Sequence, residues 1–291
     1  MTPSLFRVES VPAVGETVVL DGAEGRHAGN ALRVRPGEPI RVGDGRGAVA
    51  DCVVTTTSPG VVRAEVLART DVPRPVPEVT VVQALPKSDR SELAVELATE
   101  AGADRILPWQ AERCVSRWTG PKIDKGRAKW TNAARAAAKQ SRRPHEPEIG
   151  ELLDSAALTR LVADEVDQGA LVLVLHEEGA VPFADAVACP SPGPDARIPG
   201  TAAQGRGSTA HTPGADGWPV GVVVVVGPEG GVSDAEIAAL TGAGARAVVL
   251  GPEVLRTSTA AAVALGALGV LTPRWARAGT TLGATAPHHG K

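Results

Sequence analysis

Apolar and polar positions follow two different periods along this chain, and the change falls near residue 72. Before it, short apolar runs at Leu5–Val8, Thr17–Leu20, Pro39–Val42, Ala48–Thr55 and Val61–Ala68 are separated by turns rich in Gly, Asp and Pro. That spacing predicts a small β-barrel or sandwich. Beyond it, predominantly apolar runs at Val79–Leu85, Arg105–Pro108, Leu171–Leu175, Val222–Val226 and Ala247–Leu250 predict strands buried on both faces of a parallel sheet. Helical periods lie between them, at Ser88–Ala101, Lys122–Arg143, Leu158–Val166, around Ile237 and Leu240, and at Ala260–Val270. The stiff stretch Val72-Pro-Arg-Pro-Val-Pro77 divides the two regions, giving a β-domain over 1–72 and an α/β domain over 73–275. Residues 189–218 and 276–291 lack an apolar period and are rich in Pro, Gly, Ser, Thr and Ala, so a disordered insertion and tail are predicted there.

Two of the apolar runs end in the same dipeptide. Val222–Val226 runs into Gly227-Pro-Glu-Gly-Gly231, and Ala247–Leu250 into Gly251-Pro-Glu-Val-Leu-Arg-Thr257. Glycine lets the main chain approach a ligand and proline fixes the turn, so each corner presents backbone groups at the rim where open α/β sheets bind ligands. Leu171–Leu175, ending at His176-Glu-Glu-Gly179, completes one rim if all three strands are neighbours. Ser233-Asp-Ala-Glu236 has the form of a capping box, and Thr257 or Ser258 is placed to cap the helix after it.

Length and composition bound the class. With 291 residues and 22% charged side chains, the chain is long enough for about two soluble domains. Neither a leader nor a membrane-length apolar run is visible, which leads to the expectation of a cytoplasmic protein. Cys52, Cys114 and Cys189 are widely spaced, and the six histidines show no ligand spacing, so neither a disulfide framework nor a metal site is expected. The net charge of −3 hides an asymmetry: residues 81–143 hold thirteen Lys/Arg against seven Asp/Glu. A basic segment in an acidic chain fits a polyanion-facing surface or an ion-paired helix face. Tyrosine is absent and aromatic residues make up 2%, so phosphate contacts rather than base stacking would carry nucleic-acid binding.

The arginines Arg33 and Arg35, at the end of a predicted short helix over His27–Gly37, are candidate phosphate contacts. So are Lys87 and Arg90 at a strand-to-helix turn, and Lys139, Arg142 and Arg143 on the basic helix. Gly43-Asp-Gly45-Arg-Gly47 is followed by a strand and reads as a hairpin turn. Gly242-Ala-Gly244-Ala-Arg-Ala247 hints at a nicotinamide-dependent oxidoreductase, but it follows a helix and precedes a strand, the reverse of the required order. No Walker loop is present.

Taken together, His27, Leu32-Arg33, Ala84-Leu-Pro-Lys87, Ala101–Pro108, Glu112-Arg113-Cys114, Ala137–Gln140 with Arg143, Gly227–Gly231 and Leu250–Thr257 resemble the RsmE family of 16S ribosomal RNA uridine-N3 methyltransferases, in the SPOUT superfamily. The resemblance implies a PUA-like N-terminal barrel, a trefoil-knotted α/β domain, a homodimer, S-adenosylmethionine as cofactor, and 16S ribosomal RNA or the small subunit as partner. It also implies a cofactor pocket of Leu175, His176, Val226, Gly227, Glu229, Gly230, Leu250, Gly251, Val254, Leu255 and Arg256, with Arg113 joining the RNA contacts. Arg256 is the candidate catalytic residue, stabilising the anion that develops on the uracil oxygens; pairing with Glu253 is its structural alternative. His176 is a weak candidate for a general base. Ser258 stands where many family members carry an acidic residue. A non-catalytic RNA-binding protein of the same fold remains the alternative.

Overall fold

The computed structural model describes residues 3–87, 90–179, 181–188 and 218–275. The predicted tail and most of the predicted insertion lie outside these residues. Trp218, at the insertion's end, packs against the larger core.

The first sheet is built from β1 (Leu5–Arg7), β2 (Thr17–Leu20), β3 (Pro39–Gly43), β4 (Ala48–Ser58) and β5 (Val61–Asp71), in the order β1-β3-β4-β5-β2. All pairings but β1 with β3 are antiparallel. Alternate residues of these strands, among them Phe6, Leu20, Ile40, Val42 and Val62, fill one small core. Register shifts at Asp51/Cys52 and Val54/Thr56 let the long β4–β5 hairpin bend. A helix does form between β2 and β3, but over Gly22–Arg26 (α1), continued as a wider π turn over His27–Ala31. It begins before the predicted span and stops short of both arginines. Pro36 bars Arg35 from helical geometry, and Arg33 already sits at φ 53°.

The second sheet contains β6 (Glu78–Ala84), β7 (Arg105–Trp109), β8 (Glu148–Ile149), β9 (Leu171–Leu175), β10 (Val181–Pro182), β11 (Gly221–Val226) and β12 (Arg246–Val249). They are parallel throughout, in the order β10-β12-β9-β11-β6-β7-β8. Helices α2 (Ser91–Ala101), α3 (Pro121–Gln140), α4 (Ser155–Asp167), α5 (Phe183–Ala188), α6 (Asp234–Gly242) and α7 (Thr257–Leu271) connect or cover the strands. The five valines Val222–Val226 are each at most 2% exposed, as a central strand requires. Small residues on α7, including Ala260, Ala261, Ala264 and Gly269, allow its close approach to α2 and the sheet. Among the described residues, no helix is long and apolar enough to cross a membrane.

The two sheets are stitched together at residues 143–146. Glu146 N–H donates to the Gly45 carbonyl at 2.8 Å, and Gly47 N–H to the Pro144 carbonyl at 3.1 Å. A Cβ on Gly45 would lie 2.8 Å from Glu146 Cδ, and one on Gly47 2.6 Å from His145 Cε1. The glycines of the 43–47 turn thus make room for the second domain. Lys139 Nζ reaches Glu24 at 2.6 Å, and Arg7 lies 3.0 Å from Glu146. Beneath this seam, fully buried Asp104 accepts from Arg143, Arg274 and Val79 N–H.

Candidate functional site

Strand β9 lies between β11 and β12, so the three predicted corners are neighbours at one rim of the sheet. Register fixes their heights: Val225 pairs with Val174, and Val248 with Leu175. His176 N–H donates to the Val248 carbonyl at 2.9 Å, carrying the β9–β12 ladder one residue past the strand end. A Cβ on Gly227 would lie 2.6 Å from Val232 Cγ2, and one on Gly230 would lie 3.1 Å from Arg113 Cβ. These glycines let the 227–231 corner fold back tightly, with main chain at the rim. The capping box that starts α6 is present: Ser233 Oγ accepts from Glu236 N–H, and Glu236 accepts from Ser233 N–H. Glu236 also takes the Ser155 hydroxyl at 2.5 Å and Glu112 N–H at 2.9 Å. Burial pushes this carboxylate's pKa up, but those hydrogen bonds outweigh it and hold it below the usual value.

Together the corners enclose a cavity of about 650 Å³. Leu175, His176, Val226, Gly227, Glu229, Gly230, Leu250, Gly251, Val254, Leu255 and Arg256 all line it. Glu177, Glu178, Asp234, Glu253 and Ala260 line it too; they lie within the motifs and the helical run read from the sequence but were not assigned to the pocket. Val254 and Leu255 are exposed at 79% and 37%, apolar side chains on the outermost corner. A second hollow of about 350 Å³ adjoins the first, lined by Lys87, Arg90, Glu229, Arg256 and Ser258. Glu229 and Arg256 belong to both walls.

Arg256 is the N-cap residue of α7, with an exposed side chain at this shared wall. No ion pair joins it to Glu253 among the described residues. Thr257 and Ser258 lie inside the helix rather than capping it. Gln83, buried under the helix start, donates its amide to the Thr257 carbonyl at 3.2 Å; as a polar residue in an apolar strand it was visible in the sequence but has no motif. His176 Nδ1 accepts Glu178 N–H at 3.2 Å. A neutral ring accepting this bond carries its proton on Nε2.

The expected RNA contacts divide. Arg33, Arg35, Lys87 and Arg142 are exposed, and Arg90 is partly so. Arg113 is exposed as well, and its guanidinium reaches the Gly230 carbonyl at 3.4 Å. Lys139 is held by Glu24 over the Phe6 ring. Arg143 is turned inward, donating to the Thr99 and Ala103 carbonyls at 2.6 and 2.7 Å and to Asp104. Burial lowers its pKa to about 10, against the attraction of Asp104. Its place is the seam below the helix rather than an RNA-facing surface. Trp118 and Trp130 pack edge to face, as packing residues rather than base stackers. Among the described residues, no group of His, Cys, Asp and Glu could hold a metal. Cys52 and Cys114 are buried free thiols, and burial raises the Cys52 pKa to about 11.

A parallel α/β sheet with a ligand cavity over its strand ends, joined to a small β-domain, is the arrangement of an RNA methyltransferase domain carrying a PUA domain. Residues 72–269 match the RNA methyltransferase domain, and residues 20–67 the RNA methyltransferase PUA domain. The chain is 51% identical to the ribosomal RNA small subunit methyltransferase E of Mycobacterium bovis over 94% of each chain. It is 29% identical to that of Bacillus subtilis over 91% of this chain and 93% of the relative. The crystal structure of the Neisseria gonorrhoeae enzyme of the same name, bound to S-adenosyl methionine, superposes with a TM-score of 0.71 at 26% identity, covering 93% of this chain and 98% of that one. A Legionella pneumophila methyltransferase in complex with the same cofactor also gives 0.71, at 25% identity and the same coverage. The chain belongs to the ribosomal RNA small subunit methyltransferase E family.

Proposed function

We propose that this protein methylates N3 of a uridine in small-subunit ribosomal RNA, using S-adenosylmethionine. The observation that carries the reading is the single cavity over three adjacent strand ends, with Lys87, Arg90 and Arg256 around the hollow beside it. The residues present fit the cofactor. Leu175, Val226, Leu250, Val254 and Leu255 offer an apolar slot suited to a purine ring, and main-chain N–H and C=O groups at the corners suit its polar edge and the ribose. When bound, S-adenosylmethionine supplies a sulfonium methyl, an electrophile that needs neither metal nor covalent enzyme intermediate.

What remains for the chain is alignment, exclusion of water and stabilisation of charge. Uridine N3 is a weakly acidic imide, and losing its proton places negative charge on the two flanking carbonyl oxygens. Arg256, on the wall common to both hollows, is positioned to donate hydrogen bonds to that charge. Arg33, Arg35, Lys87, Arg90 and Arg142 are the proposed phosphate contacts, and they act on any sequence.

A homodimer goes with this reading. Exposed apolar side chains near the end of α7, Val270 at 76% and Trp275 at 54%, offer a face for a second copy. A cytoplasmic location goes with the ribosomal substrate. Incubation of unmodified 16S ribosomal RNA or small subunits with protein and S-adenosylmethionine, followed by nucleoside mass spectrometry, tests the activity. N3-methyluridine is the expected product; cofactor binding without any methylated nucleoside would favour a non-catalytic RNA-binding protein.

A further inference from the structure

We infer that the second hollow seats the acceptor uridine and that the Ser258 hydroxyl donates to a carbonyl of its deprotonated ring. This rests on the methyltransferase reading above and deepens it. Ser258 is 2% exposed, and its Oγ has no hydrogen-bond partner. A buried hydroxyl left unsatisfied is costly, and a serine in a helix ordinarily turns its Oγ to nearby backbone. The neighbouring Thr259 does so, bonding the Arg256 carbonyl at 3.2 Å. Ser258 instead lines the hollow with Lys87, Arg90, Glu229 and Arg256, so its missing partner is one that a ligand there supplies.

The surroundings fix the ligand's character. Among the described residues, three cationic side chains line the hollow with one carboxylate, Glu229, whose Oε1 already accepts Lys87 N–H at 3.2 Å. The start of α7 adds its positive end, for no side chain caps its first turn. Lysine and arginine only donate, so they favour a base edge carrying acceptors: uracil presents two carbonyl oxygens, whereas cytosine replaces one with an amino group. At about 350 Å³ the hollow exceeds what a lone phosphate needs. Because Glu229 and Arg256 bound both hollows, a base in one faces a methyl donor in the other across that wall.

In this arrangement the chain supplies donors rather than a base. The N3 proton passes to solvent water, and the negative charge left on the ring is held by Ser258, Arg256 and the helix end. The N3 lone pair then forms the N–C bond as the C–S bond breaks, with that bond's electron pair remaining on sulfur.

The test compares wild type with Ser258→Ala and Ser258→Cys, measuring S-adenosylmethionine affinity by calorimetry and single-turnover methylation of 16S ribosomal RNA across pH. For Ser258→Ala we expect unchanged cofactor affinity, a rate near pH 7 about tenfold lower, and a rise in rate displaced to higher pH because the ring anion is less stabilised. Ser258→Cys, with its weaker donor, should fall between. A folded Ser258→Ala protein with the wild-type rate and pH profile would overturn the inference while leaving the methyltransferase reading standing. A wild type that binds cofactor but never methylates RNA would remove both.

Discussion

The backbone N–H of Lys87 and Oε1 of Glu229, 142 residues apart in sequence, are joined by a hydrogen bond of 3.2 Å. One residue follows β6 and the other follows β11, so the bond ties two adjacent strand ends at the point where both hollows meet. Glu229→Ala frees the Lys87 turn and opens the shared wall. Loss of one hydrogen bond to a carboxylate in an exposed setting is worth about 1 kcal/mol, roughly fivefold in rate. Methyl transfer should fall by about that factor and cofactor affinity should fall with it, as calorimetry and a methylation time course will register.

Arg142 and Arg143 are adjacent in the chain and opposite in setting. Arg142 is exposed, whereas Arg143 is bonded to buried Asp104 and two carbonyls. Arg142→Ala should weaken RNA binding and lower its salt slope by about one, with the melting temperature unchanged. Arg143→Ala leaves Asp104 short of a partner and should cost about 3 kcal/mol of stability. Salt-dependent RNA binding and thermal melts of both variants check the division.

Gly179 closes the turn that follows β9, and a Cβ there would lie 2.4 Å from the Val248 carbonyl carbon. Because the obstacle is backbone, the turn itself must move. Gly179→Ala should therefore displace His176–Glu178, costing about 1–3 kcal/mol and weakening cofactor binding. Calorimetry beside a thermal melt separates the local loss from the global one.

The Glu236 pKa is held below its ordinary value of 4.5, because hydrogen bonds from Ser155, Glu112 and Ser233 outweigh its desolvation. A lowered carboxylate pKa gives stability that is complete above the unfolded-state value and is lost as pH falls through the folded-state value. Denaturation of the wild type should thus become easier as pH drops below about 4.5. Glu236→Gln should be less stable at neutral pH and show a shallower decline in that acid window, measured by chemical denaturation at a series of pH values.

Much of this architecture is legible in the chain because its local signals agree. Leu171–Leu175 and Thr17–Leu20 are strands over their predicted spans, and the Ser233–Glu236 box forms where its spacing places it. The Gly-Pro corners locate the cavity because glycine and proline constrain the main chain wherever they occur. What escaped the sequence depends on tertiary contact. The helix before β3 begins at Gly22 because packing against β2 and β5, not local propensity, sets its start. β8 and β10, two residues each, are too short to show a period. Charge counting could not tell Arg142 from Arg143, since only the fold puts Asp104 beside one of them. Nor could it reveal that Lys139 is consumed by Glu24, 115 residues away.

Nucleoside mass spectrometry of ribosomal RNA from cells lacking this protein tests the central claim most directly. The account predicts that one N3-methyluridine of the small-subunit RNA disappears, that the wild-type gene restores it, and that a folded Arg256→Ala variant does not. A full complement of N3-methyluridine in those cells, or its full restoration by Arg256→Ala, would contradict it.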